Sequence, residues 1–312
     1  MLVLISLFSA VIPILLYLII IWKMDKYERE SFMLVFAHFL WGAFGAVIFA
    51  TFVSVLVMVP INLFVHSTAQ QNIIGAVITA PFVEEFAKGL FLFIFFLTKE
   101  YDNITDGLVY GGAIGLGFGM TENLLYFIMY GKSLEELIFL IILRTGFTAL
   151  VHCISTATFG AFLTLSKFSK KNKLGLIISG YLAAVSLHSI WNLSVTFNFG
   201  MLLSTVFILF IISLFFVVFR ISIKREKKII ITELSDEANE ENLSEELINI
   251  IVNNTKQLRK DKMYGRKILN NAVKLAFRKH QAKISSETDK SKYSSDINLY
   301  RKKLTDLISS NS

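Results

Sequence analysis

Cysteine occurs once in the 312 residues, at Cys153, which excludes an internal disulfide framework and any zinc site built on cysteine ligands. Cys153 lies in an apolar segment and reads as a small packing residue rather than a nucleophile. Proline is almost as scarce, at three positions, and charged residues make up only 18% of the chain. The first segment, Leu2 to Trp22, lacks a basic leader and a small-x-small cleavage site, so it reads as a retained helix and not as a signal peptide. A nucleotide-binding fingerprint is missing, because Gly115-Leu-Gly-Phe-Gly sits within an apolar run and reads as helix packing. No Ser-Lys or Gly-x-Ser-x-Gly arrangement suggests a serine nucleophile, and His-Glu-x-x-His is absent. No basic motif interleaved with aromatics points to nucleic acid.

What the chain does have is apolar length. Hydrophobic residues reach 54%, including 29 Phe, and they gather in runs near the length that crosses a bilayer. Seven spans are expected, at about 2–22, 33–59, 73–97, 107–130, 136–166, 174–196 and 200–221. Pro60 is expected just after the second span and Asp106 as the N-cap of the fourth. Only Asn198-Phe199-Gly200 separates the sixth from the seventh. The fold class is therefore all-α: a polytopic transmembrane helical bundle with a cytoplasmic tail that is part helical and part flexible. Residues 1–221 form the membrane domain and 222–312 the tail.

Charge divides at the same place. Residues 1–219 hold 11 Lys/Arg and 11 Asp/Glu, whereas 220–312 hold 20 Lys/Arg against 13 acidic residues, so the tail carries the formal +7. The loops at 23–32, 98–106 and 167–173 carry 3, 1 and 4 Lys/Arg, and those at 60–72, 131–135 and 197–199 carry 0, 1 and 0. The positive-inside rule then puts the N-terminus outside and the C-terminus in the cytoplasm. Arg220, Lys224, Arg225, Lys227 and Lys228 follow the last span and favour an anionic leaflet. In the tail, Ser244–Val252 and Lys267–Phe277 have helical apolar spacing, and the last 25 residues are expected to be flexible.

Against this apolar background the polar residues stand out. Glu84 and Glu85 are adjacent in the third run, Glu122 lies in the fourth, His152 in the fifth and His188 in the sixth. A carboxylate at bilayer depth opposes insertion by roughly 2.5–3.5 kcal/mol, so such groups are kept for a reason. Counting about 1.5 Å of rise per residue from each expected entry point brings all of them within about one or two helical turns of a common depth, slightly outside the midplane. Glu84 and Lys88 share a helix face, as do Phe118 with Glu122, His152 with Thr156 and His188 with Asn192. Glu85, about 100° around the helix from Glu84, is free to face elsewhere. Gly107, Gly111, Gly115 and Gly119 form a ridge of small residues that lets another helix approach closely.

Each residue also has a structural reading. A membrane histidine is commonly a helix–helix hydrogen-bonding group, Lys88 can neutralise Glu84, Asn192 can serve packing, and Arg144 can snorkel. Their convergence favours chemistry. A buried carboxyl group is a competent general base toward water, and a His/Asn pair one turn apart can donate to a developing oxyanion. The fitting mechanism is direct attack of activated water on a peptide carbonyl. A transporter using the Glu/His set as a proton relay is the alternative, and a silent helix-binding protein is a third reading.

Four motifs carry a resemblance. Glu84-Glu85-Phe86-Ala87-Lys88 resembles EExxK, Phe118-Gly-Met-Thr-Glu122 resembles FxxxE, His188-Ser-Ile-Trp-Asn192 resembles HxxxN, and Arg144 to His152 resembles the intervening segment with its single histidine. Over residues 1–220 the chain is similar to the PrsW-type intramembrane proteases, of the CAAX endopeptidase and Abi superfamily. That resemblance implies a glutamate-type membrane protease in the cell membrane, cleaving a membrane-protein substrate such as an anti-sigma factor in regulated proteolysis. It implies that Glu84 and Glu85 activate water, that Glu122 and His152 complete the site, and that His188 and Asn192 stabilise the oxyanion. Glu122 stands where the CAAX branch has His, against a prenylated substrate. No cofactor is expected, with Zn²⁺ left open: two Glu and two His can ligate it, whereas Lys88 beside the carboxylates opposes a dication.

Overall fold

In a computed structural model the chain is described throughout except at residues 99–100, 170, 198–199, 240–242, 262, 285–286 and 311–312. Among the described residues there are helices and no strands, in two compact units: 1–24 with 30–219, and 25–29 with 220–312.

The first unit is a helical bundle. α1 is Leu2–Met24 and α2 is Phe32–Phe64, which contains a π-helical turn at Trp41–Ala46. α3 runs over 68–96, as Thr68–Ile73, a π turn at Ile74–Thr79, and Ala80–Phe96. α4 is Ile104–Tyr130, α5 is Leu134–Phe168 with a π turn at Arg144–Thr148, and α6 is Lys173–Thr196. α7, Gly200–Asn239, begins here, and its residues from Arg220 on belong to the second unit.

Among the described residues five helices are long and apolar enough to cross a membrane: α1, α2, α5, α6 and Leu202–Ala238 within α7. α3 and α4 are the two that carry Glu84, Glu85 and Lys88, and the glycine ridge with Glu122. α1 shows how these helices divide their faces. Leu4, Phe8, Ile12, Leu16 and Ile20, four apart, are each more than half exposed, while Ala10, Ile14 and Leu18 are fully buried. An apolar stripe turned outward at that spacing is a lipid-facing surface.

Several sequence expectations shift. Pro60 does not end the second span, because α2 continues through it to Phe64. Asp106 is not the N-cap of α4: Asn103 caps it, accepting from the Asp106 N–H, while the Asp106 carboxylate accepts from Asn103 N–H in a reciprocal box. Glu135, expected in a loop, lies in the first turn of α5 behind the Ser133 cap. The expected break at Asn198-Phe199 lies outside the described residues.

α4 is the centre of the bundle, and its glycines are the reason. A Cβ on Gly111 or Gly115 would collide with the main chain of Thr156 or His152 on α5. The two backbones therefore touch, which fixes the height and rotation of α5 against α4. On the opposite face Gly117 meets the main chain of Phe39, and Gly42 that of Ile114, so α2 is seated equally closely.

The second unit has its own core. α8 is Glu245–Asn253, α9 is Thr255–Lys260, α10 is Gly265–Ile284 and α11 is Glu287–Ser309. Ile230, Leu234, Ile251, Leu269, Val273, Phe277 and Leu304 are buried together with Tyr27 from the 25–29 segment. Tyr27 donates its hydroxyl to the Val252 carbonyl at 3.4 Å, and Arg259 donates to the Lys26 and Tyr27 carbonyls. The last 25 residues, expected to be flexible, are mostly helix in α11. Leu304 is buried, Tyr300 and Leu307 pack on the core, and Arg301 forms a two-pronged bond to Glu237.

Candidate functional site

α3, α4, α5 and α6 each deliver polar side chains to one place. Pro81 sits near the start of Ala80–Phe96, and the following turn carries Glu84, Glu85 and Lys88 inward. Lys88 is completely buried; its Nζ donates to Glu85 Oε1 at 2.8 Å and lies 3.5 Å from Glu84 Oε2. Glu85 is thus not free to face elsewhere, because a lysine reaches carboxylates both three and four residues back. Its Oε1 also accepts from His188 Nδ1 at 3.1 Å, and its Oε2 accepts from the Thr156 hydroxyl at 2.9 Å. Both oxygens of Glu85 are therefore occupied, and the residue is fully buried.

Glu84 differs. Its side chain is 14% exposed, and its Oε2 accepts no hydrogen bond. His188 Nε2 stands 3.9 Å from that oxygen.

Glu122 arrives from α4 and pairs with α5 twice. Its Oε2 accepts from His152 Nε2 at 2.6 Å and forms an ion pair with Arg144 Nη2 at 3.0 Å. Arg144 is further held by Asn123 Oδ1, 3.2 Å from its Nε, and by the Tyr126 ring, 3.6 Å from its guanidinium carbon. The π turn at Arg144–Thr148 gives α5 the extra residue that lets Arg144 and His152 approach the same carboxylate. Because Glu122 accepts at Nε2 and Lys88 lies 3.0 Å from Nδ1, His152 carries its hydrogen on Nε2 and presents a lone pair on Nδ1. Phe118 lies flat beside this group, with Lys88 Nζ 4.0 Å from its ring centre and His152 at 5.4 Å.

The pattern repeats at His188. Its Nδ1 donates to Glu85, so its Nε2 lone pair faces Glu84 Oε2. Two histidines, each backed by a carboxylate, thus keep their second nitrogen as an acceptor: His188 Nε2 stands 3.9 Å from Glu84 Oε2, and His152 Nδ1 meets the Lys88 ammonium at 3.0 Å. One donor atom from each of Glu84, His152 and His188 lies within 4.8 Å of the other two.

Of the residues singled out from sequence, Glu84, Glu85, Lys88, Phe118, Glu122, Arg144, His152 and His188 meet in this cluster. Asn192 does not. Its Nδ2 donates to the Ala76 carbonyl at 2.8 Å, in the π turn of α3, where the wider turn leaves carbonyls without a helical partner. Thr121 plays the same part in the α2 π turn, donating to Ala43 at 2.7 Å. Thr156, Asn123 and Tyr126 were not singled out as site residues. Thr156 was legible as the residue one turn from His152, whereas Asn123 and Tyr126 emerge only once Arg144 is placed.

The family described as PrsW family intramembrane metalloprotease matches residues 30–221. The chain is similar to Protease PrsW of Geobacillus kaustophilus, 26% identical over 174 residues, which are 54% of this chain and 69% of that one. It is 29% identical to Protease PrsW of Oceanobacillus iheyensis over 190 residues, 59% of this chain and 80% of the relative. With Protease PrsW of Clostridioides difficile it shares 26% over 205 residues, 64% and 84% of the two chains. No solved structure matches the chain.

Proposed function

The chain belongs to the PrsW family of intramembrane metalloproteases and is a multi-pass membrane peptidase; on that premise we propose that its Glu/His cluster hydrolyses a peptide bond in a membrane-protein substrate such as an anti-sigma factor. The observation that carries the assignment to this cluster is the asymmetry of the two glutamates. Glu85 has both oxygens committed, whereas Glu84 Oε2 is buried, accepts no hydrogen bond and faces two imidazoles.

Glu84 is the carboxylate that meets the attacking water. Glu85 sets the positions of Lys88 and His188 through bonds of 2.8 and 3.1 Å. Arg144 holds Glu122, and Glu122 holds the His152 ring in one tautomer with Nδ1 turned inward. The preorganised lone pairs of His152 Nδ1, His188 Nε2 and Glu84 Oε2 leave a place suited to a donor or a cation. Asn192 acts on the π turn of α3 in this arrangement, and only by giving up Ala76 does it become available to an oxyanion.

The family's description implies a metal, and the donor set fits one. Glu84, His152 and His188 would hold it, a His₂Glu set of the kind found in catalytic zinc sites. Glu122 and Glu85 would support the two histidines from behind, as carboxylates do at metal centres. Bound there, the ion supplies Lewis-acid polarisation of the carbonyl and a water acidified to near neutrality.

The loop charges support an orientation with the N-terminus outside and the C-terminus in the cytoplasm. Cleavage then falls near the outer half of the membrane. The test is cleavage of candidate single-span substrates in cells by wild type, Glu84→Gln and Glu85→Gln, with Glu135→Gln as control and insertion matched. Both cluster variants are expected to lose cleavage while the control keeps it. Cleavage by Glu84→Gln at the wild-type rate overturns the assignment.

A further inference from the structure

Among the described residues Lys88 is the one cation inside the ring of donors. It is completely buried, and its ammonium stands 3.0 Å from His152 Nδ1 and 3.5 Å from Glu84 Oε2. Those are two of the three groups that fit a divalent ion, so Lys88 already neutralises the place a metal takes. Arg144 does not compete there, since Glu122, Asn123 and the Tyr126 ring hold it on the other side of His152. Lys88 also has somewhere to withdraw to: its 2.8 Å bond to Glu85 Oε1 and the Phe118 ring face do not depend on His152.

We infer that Lys88 is a built-in competitor for the metal, occupying the Glu84/His152 side of the site until a divalent cation displaces it toward Glu85. Two positive groups within a few ångströms repel strongly in a buried setting, so the ammonium and the ion alternate at the His152 Nδ1 lone pair. The lysine thereby weakens metal affinity without being a ligand. An empty site keeps its charges balanced and its histidines oriented, so the cluster does not collapse when the ion leaves.

This inference rests on the reading of the cluster as the reaction site, but its test reads metal and not cleavage. Full-length protein is purified in detergent, stripped with a chelator, and titrated with Zn²⁺ against a chromophoric competitor. Lys88→Met and Lys88→Gln are both used, each required to elute as a monodisperse species. Both are expected to bind one Zn²⁺ at least tenfold more tightly than wild type, and adding Glu84→Gln should abolish the gain. Equal or weaker binding by the lysine variants overturns the inference. So does a gain that survives Glu84→Gln, or absence of stoichiometric Zn²⁺ in every variant. Loss of cleavage in Glu84→Gln with unchanged metal affinity in the lysine variants leaves the proposed function standing and removes only the competitor.

Discussion

Thr156→Val takes away one hydrogen bond and almost no volume. The Thr156 hydroxyl donates to Glu85 Oε2 at 2.9 Å, and both residues are completely buried. Valine fills nearly the same space, so the cavity contribution is small and the loss is that of a bond to a carboxylate. Such bonds contribute about 1.5–3 kcal/mol, and the abandoned oxygen belongs to a fully buried side chain. The folded fraction should fall by about 10–150-fold relative to unfolded. The chemical effect has a separate origin. Glu85 holds Lys88 and His188 through its other oxygen, and freeing one end lets that whole group drift. Misplacement by about 1 Å costs on the order of 100-fold in rate, so cleavage is expected to drop by about 10–100-fold with insertion unchanged. Thr156→Ser keeps the donor and should stay within about threefold of wild type. The measurement is substrate cleavage in membranes normalised to inserted enzyme, together with unfolding of the detergent-solubilised protein. Wild-type cleavage by Thr156→Val refutes the reasoning. Equal losses in the valine and serine variants would show that the hydrogen bond alone does not set the effect, since valine keeps the Thr156 methyl group and serine keeps its hydroxyl.

Gly115→Ala puts a methyl into the main chain of His152, an overpacking that costs about 1–3 kcal/mol, whereas Gly146→Ala meets nothing within 4 Å; melting curves should separate the two. Glu237→Ala leaves Lys279 and Arg301 without their shared carboxylate and should loosen α10 and α11 by about 1.5–3 kcal/mol, read by amide exchange on the full chain. Burial pushes the Glu237 carboxyl up, but hydrogen bonds from Arg301 and Lys279 outweigh that and hold it below the ordinary value of 4.5. Its stabilisation is therefore complete above that value and is lost as pH falls below it, so α11 exchange should quicken on acidification and Glu237→Ala should flatten the change. Truncation after Lys228 should leave insertion and basal cleavage intact while uncovering Tyr27 to phenol-directed labelling; loss of all cleavage by the inserted truncated protein would make the tail part of the catalytic machinery.

Much of the site was legible because membranes penalise polar residues heavily, so each one kept must have partners. The Glu84–Lys88 pairing follows from helical spacing alone. The second bond from Lys88 to Glu85 does not, because it depends on a flexible four-carbon stem and not on the helix's phase. The Asn192 bond to Ala76 was hidden for another reason: π turns have no sequence signature of their own, and a side chain that serves one cannot be read before the turn is seen. The helices were plain where apolar runs are long. α11 was not, because the few residues that pack on the core, Ile297, Tyr300, Leu304, Leu307 and Ile308, are spread through a polar sequence. Their periodicity shows only once a core exists to receive them. Asn103 displaced Asp106 as the α4 cap because a capping box uses both residues, and sequence alone leaves their order open.

Tyr27 imposes an order on biosynthesis. Its hydroxyl partner, Val252, lies 225 residues further along the chain. At about 5–20 residues per second the ribosome needs about 10–45 s to travel that distance. All that time, while the intervening helices are being delivered to the bilayer, the 25–29 segment has none of its later core to fold against. The second unit therefore closes only after α8 has been made, joining Tyr27 to a partner synthesised 225 residues later.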